Sequence, residues 1–322
     1  MDIIIIITAF ALDLIIGDPR WFPHPAKIIG KAIEKLEKLL RKIKYEKFAG
    51  SLLALIIIIG TYLIIYGILK FAFETNKFLG YLLTAVFIYT SLSIKDMAKE
   101  SMLVYNDLKN NDIEKSRKDL SMIVGRDTNN LDESEIIRAT VETIAESTVD
   151  GIISPLFYTF IGILLLGPIG GATLALTYKA INTLDSMVGY RNEKYIKFGY
   201  LSAKIDDLVN FVPSRLAAFF LALGSAVCGK NGKKALLFAF KNGVKDMNRN
   251  SEVPESAIAG ALSLRLGGTN YYHGIASVKP YLDDTSCRIS GTLEDINQTI
   301  NIMYVSSYTA LVSGIIFYLL LY

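Results

Sequence analysis

Cysteine and histidine are nearly absent: the 322 residues hold two of each, Cys228 and Cys287, His24 and His273. Neither pair has CxxC or metal-ligand spacing, so neither a disulfide framework nor a zinc site is expected. Charge is scarce too, with 20% of residues Asp, Glu, Lys or Arg against 52% hydrophobic and a mean hydropathy of +0.37. That is more apolar surface than one soluble core needs, and it points to a bilayer. The start, Met1-Asp2 followed by isoleucines, lacks the basic stretch and small-residue cleavage site of a secretory signal and reads as a retained anchor. No repeat or low-complexity tract is visible, and no nucleic-acid partner is expected.

A helical span needs about 20 mostly apolar residues. Segments 1–17 (short, carrying Asp13), 48–69, 78–94, 151–180, 208–228 and 302–322 are candidates. The expected fold is all-α: one membrane-embedded domain over 1–322, with about five spans (roughly four to six) and polar helical regions at 18–47, 95–150 and 229–301. Segments 48–69 and 78–94 should form an antiparallel helical hairpin. Within 151–180, Gly167-Pro168 and Gly170-Gly171 break the run, giving two short spans or one span plus a re-entrant hairpin. Pro213 and Arg215 weaken 208–228.

Region 18–47 carries nine basic residues against four acids, which places it on the cytoplasmic face of the cell membrane. Ile29, Ile33, Leu36, Leu40 and Ile43 recur there at helical spacing, predicting an amphipathic helix on anionic headgroups, with a helix packed into protein as the alternative. Asp132 with Glu135 predicts a capping box. A helix should start at Ser251 to Pro254 and stop at Gly267-Gly268.

Several constellations could carry chemistry. Arg138, Glu142, Glu146 and Asp150 lie four apart, one stripe on a continuous helix; its like-charged acids would repel unless neutralised, for example by magnesium on a nucleotide phosphate. A solvated helix face is the plainer alternative. Lys179, Asn182 and Asp185, with Ser186, share a helical side beside an apolar stretch. Lys204, Asp206, Asp207 and Asn210 precede Arg215, an ionisable group inside an apolar run that either pairs with an aspartate or snorkels. The turn from Gly17 to Pro25, with three prolines, fixes Arg20 and His24 at the membrane surface, where Trp21 and Phe22 suit an interfacial anchor. The helix start near Glu255 and the Gly-rich exit leading to Asn270 could each receive an anion, though Glu255 also suits the helix dipole. Gly224 to Asn231 imitates a P-loop but lacks its Ser or Thr and follows no strand.

Together and in this order, GDPRWFPHP, ETIAESTVDGIISPLFY, YKAINTLDSMVGY, KIDDLVNFVPSRL and NSEVPESAIAGALSLRLGGTNYY resemble the adenosylcobinamide-phosphate synthase family of cobalamin biosynthesis. The resemblance runs from Gly17 to Tyr272. It implies an integral membrane enzyme that condenses adenosylcobyric acid with aminopropanol, or aminopropanol phosphate, using ATP and magnesium. On that reading Glu142, Glu146 and Asp150 hold the metal, and Asp185, Asp206 or Asp207 serves as base. Lys179, Arg191 and Arg215, with Arg20, His24, Asn182, Asn210, Glu255 and Asn270, face substrate or phosphate. A transporter would place its ionisable groups near mid-bilayer and often show an inverted repeat. A non-catalytic regulator would not need acids and bases in every motif.

Overall fold

The computed structural model describes residues 1–321 apart from 20, 22, 191, 244–249 and 273. Thirteen helices are described: α1 (Asp2–Ile16), α2 (Pro25–Leu40), α3 (Glu46–Thr75), α4 (Lys77–Tyr89), α5 (Ile94–Lys109), α6 (Ile113–Leu120) and α7 (Glu133–Thr148), then α8 (Ser154–Val188), α9 (Tyr200–Val209), α10 (Phe211–Val227), α11 (Gly232–Phe238), α12 (Glu252–Leu262) and α13 (Leu293–Leu321). Strands β1 (Leu266–Tyr272) and β2 (Ile275–Leu282) lie between α12 and α13. The chain divides into two compact units, one of Met1–Ser93, Asp150–Phe211 and Ser313–Tyr322, the other of Ile94–Val149 and Val212–Val312.

Among the described residues, Glu46–Thr75, Lys77–Lys109, Glu133–Val188 and Leu293–Leu321 are long and apolar enough to cross a bilayer, and α9 with α10 adds a fifth if counted as one broken span. The protein is a polytopic helical membrane protein, as expected. The 15-residue α1 departs from that expectation. At about 1.5 Å per residue it is too short to span alone. It packs within the first unit through Ile5 and Ala9 against Ile65, Leu69 and Leu176. The α3–α4 hairpin is present: Asn76 caps α4 by accepting from the Phe78 and Leu79 amides, and Phe73 meets Tyr81 edge to face at 5.0 Å.

Helix α8 is a hairpin. Leu166 and Gly167 leave helical geometry, Gly167 at φ 64°, and Pro168 follows. On a straight helix Gly162 and Gly170 would stand about 12 Å apart. Here a Cβ on Gly162 would lie 2.2 Å from the Gly170 carbonyl oxygen, so the two arms touch through glycine backbone. Tyr158 stacks on Tyr178 at 5.3 Å across the same pair. An in-and-out hairpin crosses an even number of times, which returns the chain to the side it left. Single cysteines at Ser147 and Ser186, in a background lacking Cys228 and Cys287, are therefore expected to react with an impermeant thiol reagent from the same side. Labelling from opposite sides would mean an odd number of crossings.

The amphipathic α2 does not spend its apolar face on headgroups. Ile29, Ile33 and Leu40 pack with Leu53, Ala54, Leu184, Val188 and Phe198, and the Arg41 guanidinium beyond its end lies 4.4 Å over the Phe198 ring. Protein offers that face closer packing than lipid does. Region 229–301 also differs from an all-helical reading, since Gly267-Gly268 opens a β-ribbon. Both glycines have positive φ, 81° and 92°, at a bulge where a Cβ on Gly267 would meet the Pro280 carbonyl at 2.2 Å. The capping box of α7 is formed. Helix α12 begins after Ser251, though no side chain caps it. Pro213 occupies the first turn of α10, where its missing N–H leaves no bond unmade.

Candidate functional site

In the first unit the α8 hairpin and α9 gather one polar set. The helix leaving α7 widens into a π-turn, Val149–Ile153, which carries Asp150. Asp150 Oδ2 accepts from Asn182 Nδ2 at 3.1 Å, and Oδ1 lies 3.4 Å from the Tyr178 hydroxyl. That hydroxyl also donates to Asn210 Oδ1 at 2.9 Å, which takes a second bond from Ser154 Oγ at 2.8 Å. Asn210 Nδ2 in turn donates to Asp206 Oδ2 at 3.1 Å, leaving Asp206 Oδ1 shielded from solvent without a hydrogen-bond partner. The charges acting on Asp206 are Asp150, Asp185 and Asp207; those acting on Lys179 are Asp150, Asp18 and Asp13. The Asp185 carboxylate lies against Gly189, where a Cβ would come within 1.9 Å of Oδ1. His24 caps α2 through Nδ1, 3.2 Å from the Ala26 amide, and places Nε2 3.2 Å from Asp18 Oδ2.

The second unit builds a different set around Glu142. Its buried carboxylate accepts from Arg126 Nη1 at 2.6 Å, Arg138 Nη1 at 3.2 Å and the Gly267 amide at 2.8 Å. Both arginines reach Asn270 Oδ1, at 2.9 and 3.2 Å, while Asn270 Nδ2 is buried without a hydrogen-bond partner. Burial opposes the Arg126 charge, yet Glu142 more than offsets it and holds the guanidinium above its usual value. Glu255 on α12 is 1% exposed. Its Oε1 lies 3.2 Å from Lys279 Nζ on β2. Burial pushes its carboxyl up to about 7, and Glu255, ahead of the opposing burial, raises the Lys279 ammonium. A carboxyl with a raised pKa in the folded protein favours the fold while protonated, so this contribution is present at acid pH and is lost as the pH rises through about 7. Arg215 Nη1 donates to Ser214 Oγ at 3.0 Å and to Asn250 Oδ1.

These contacts redistribute the residues expected from sequence. The stripe of Glu142, Glu146 and Asp150 is interrupted between Glu146 and Asp150 by the π-turn Val149–Ile153. Spacing by fours keeps residues on one face only in uninterrupted α-helix, and the π-turn changes the register at Asp150. Glu142 is bound by arginines, Glu146 is exposed on α7, and Asp150 is held by Tyr178 and Asn182. Among the described residues no three His, Cys, Asp or Glu side chains stand together as a metal site. Lys179, Asn182, Asp185, Asp206 and Asn210 belong to the first unit's set. Asp207 pairs with Lys204 at 3.4 Å. Arg20 and Arg191 lie outside the described residues. Arg126, Lys279, Ser154 and the Tyr178 hydroxyl were missed, the first two because one sits in a loop and the other on an unforeseen strand.

A family profile described as CobD/Cbib protein matches residues 6–303. The chain is 44% identical over 97% of its length to a protein of Clostridium perfringens named cobalamin biosynthesis protein CobD, covering 96% of that protein. Proteins of the same name from Leptospira interrogans and Listeria monocytogenes are 41% and 42% identical, over 97% and 98% of this chain and 95% and 98% of their own lengths. No solved structure matches.

Proposed function

Because the chain belongs to the CobD/Cbib family, we propose that it is a membrane enzyme of cobalamin biosynthesis joining adenosylcobyric acid to aminopropanol, or aminopropanol phosphate, as an amide with hydrolysis of ATP. The main support is the first unit's set, in which Asn182, Asn210 and Tyr178 hold Asp150 and Asp206, with the half-buried Lys179 in the field of Asp150, beside an apolar hairpin. A free carboxylate does not condense with an amine unaided. Its oxygen attacks the γ-phosphorus of ATP, a C–O–P bond forms and ADP leaves. The deprotonated amine then attacks the carbonyl carbon, the C–N bond forms, the C–O bond to phosphate breaks and phosphate departs.

Lys179 is assigned to the phosphate oxygens, because positioning and charge neutralisation carry most of phosphoryl transfer. Asn182 and Asn210 hold Asp150 and Asp206 in place. Magnesium needs only one or two protein carboxylates and completes its shell with water and phosphate, so the unpartnered Asp206 Oδ1 with Asp150 fits it. When bound, the ion would neutralise developing charge on the phosphate. The active face is assigned to the cytoplasmic side of the cell membrane, where ATP is available, in keeping with the basic 18–47 segment.

The test is conversion of the corrinoid acid by purified protein in detergent, with ATP and each amine offered separately. One amine is expected to give an amide together with ADP and phosphate in equal amounts. ATP-independent conversion, or no product with either amine, would overturn the reading.

A further inference from the structure

Helix α2 buries one side in protein and leaves a second, ordered side open. On a helix Lys27, Lys31, Lys35 and Lys38 fall within about 80° of one another, opposite Ile29, Ile33 and Leu40, which pack on protein. All four lysines are exposed, and among the described residues none is held in an ion pair. Of the acids on α2, Glu37 is engaged by Arg41, and Glu34 is exposed at one border of the lysine row. Ile28 and Leu39 mark the other border, about 20° apart, and are 59% and 57% exposed. One exposed aliphatic side chain is ordinary, but two in line on the same flank, beside a row of cations, call for an apolar neighbour.

The packing of α2 fixes its level in the bilayer. Its apolar face rests on Ala49, Leu53, Ala54 and Ile57 of α3, in the first turns of the spanning helix Glu46–Thr75. Helix α2 therefore lies where that span enters the membrane. Phe48, Leu55, Ile56 and Ile59 of α3 are exposed, as lipid-facing side chains are. Just before α2 stands Trp21, the one tryptophan of the chain. It is 83% exposed, and tryptophan favours the bilayer interface.

We infer that the lysine row of α2 is a docking surface for anionic phospholipid headgroups. Its ammonium groups lie on the phosphates, Ile28, Leu39 and Trp21 reach the first acyl carbons, and Glu34 on the opposite border faces water. Lysine suits the task, because its flexible stem carries a point charge to a phosphate while its methylenes cover apolar surface. Lipid thus completes a helix whose other side protein already covers, and four cations meet the anionic surface of one leaflet together. This surface is independent of the chemistry proposed above.

The experiment places the whole protein in vesicles of equal parts phosphatidylcholine and phosphatidylglycerol, with bromine on the upper acyl carbons of one lipid or the other. Bromine quenches tryptophan only at short range, so Trp21 reports which lipid lies beside α2. Phosphatidylglycerol is expected to be enriched there about fivefold or more, the selectivity that a single lysine confers near an anionic surface. The enrichment should vanish when Lys27→Gln, Lys31→Gln, Lys35→Gln and Lys38→Gln are combined, and should weaken in about 1 M salt, where screening acts within about 3 Å. A second reporter, Leu39→Trp with Trp21→Phe, moves the probe towards the far end of α2 and is expected to give the same enrichment. Equal quenching by the two lipids overturns the inference, as does an enrichment that survives the four substitutions. Quenching by aqueous iodide and by neither lipid would place the row in water and overturn it too. Should the combined variant fail to fold, the parent protein decides: an enrichment unmoved by about 1 M salt overturns the inference.

Discussion

Glu142→Gln is expected to destabilise the second unit by about 3–5 kcal/mol, the usual cost of stripping one partner from a buried ion pair. The Glu142 side chain is 2% exposed, and the guanidinium groups it receives belong to side chains 8% and 15% exposed. Glutamine keeps the shape but leaves two cations with one amide oxygen between them. It also weakens the acceptor for the Gly267 amide, which ties the β-ribbon to α7. Glu146→Gln, one turn along the same helix but exposed, is expected to change stability by no more than about 0.5 kcal/mol. Thermal unfolding of both variants in detergent checks the contrast. Equal midpoints would show that the arginines find other partners and that Glu142 does not organise the unit.

That contrast shows where spacing stops being informative. Glu142 and Glu146 look alike in the sequence, both on a stripe of fours, and only tertiary structure separates a buried hub from a solvent-facing acid. Arg126 lies in a loop sixteen residues before Glu142, with no periodicity to betray the pairing. Lys279 was hidden because the Gly267-Gly268 step suits a helix stop as well as a strand bulge. The aromatic and β-branched residues Tyr271, Tyr272, Ile275 and Val278, punctuated by Gly274, were the available strand signal. What could be read were features encoded locally: the capping box at Asp132 and Glu135, the break at Gly167-Pro168, and apolar runs long enough to cross lipid. The amphipathic face of α2 was legible as a face, but its partner was not, since lipid and the α3 and α8 side chains demand the same pattern.

Lys179→Met is expected to reduce kcat/KM by about 100- to 1000-fold, the range seen when one preorganised donor to developing negative charge is removed, with most of the effect in kcat. A purely structural role would also be damaging, because Lys179 neutralises Asp150, Asp18 and Asp13 and its loss would leave crowded carboxylates repelling one another. The two roles separate in a double-mutant cycle with Asp13→Asn, which removes one of those charges from the fully buried Asp13 on α1. If Lys179 serves phosphate, the pair Asp13→Asn with Lys179→Met should recover the thermal midpoint lost by Lys179→Met alone but not the turnover. Lys179→Arg, which keeps the charge and changes its shape, should retain an intermediate rate. Recovery of both stability and turnover in the double variant would make Lys179 a counter-ion for α1 and remove it from phosphoryl transfer.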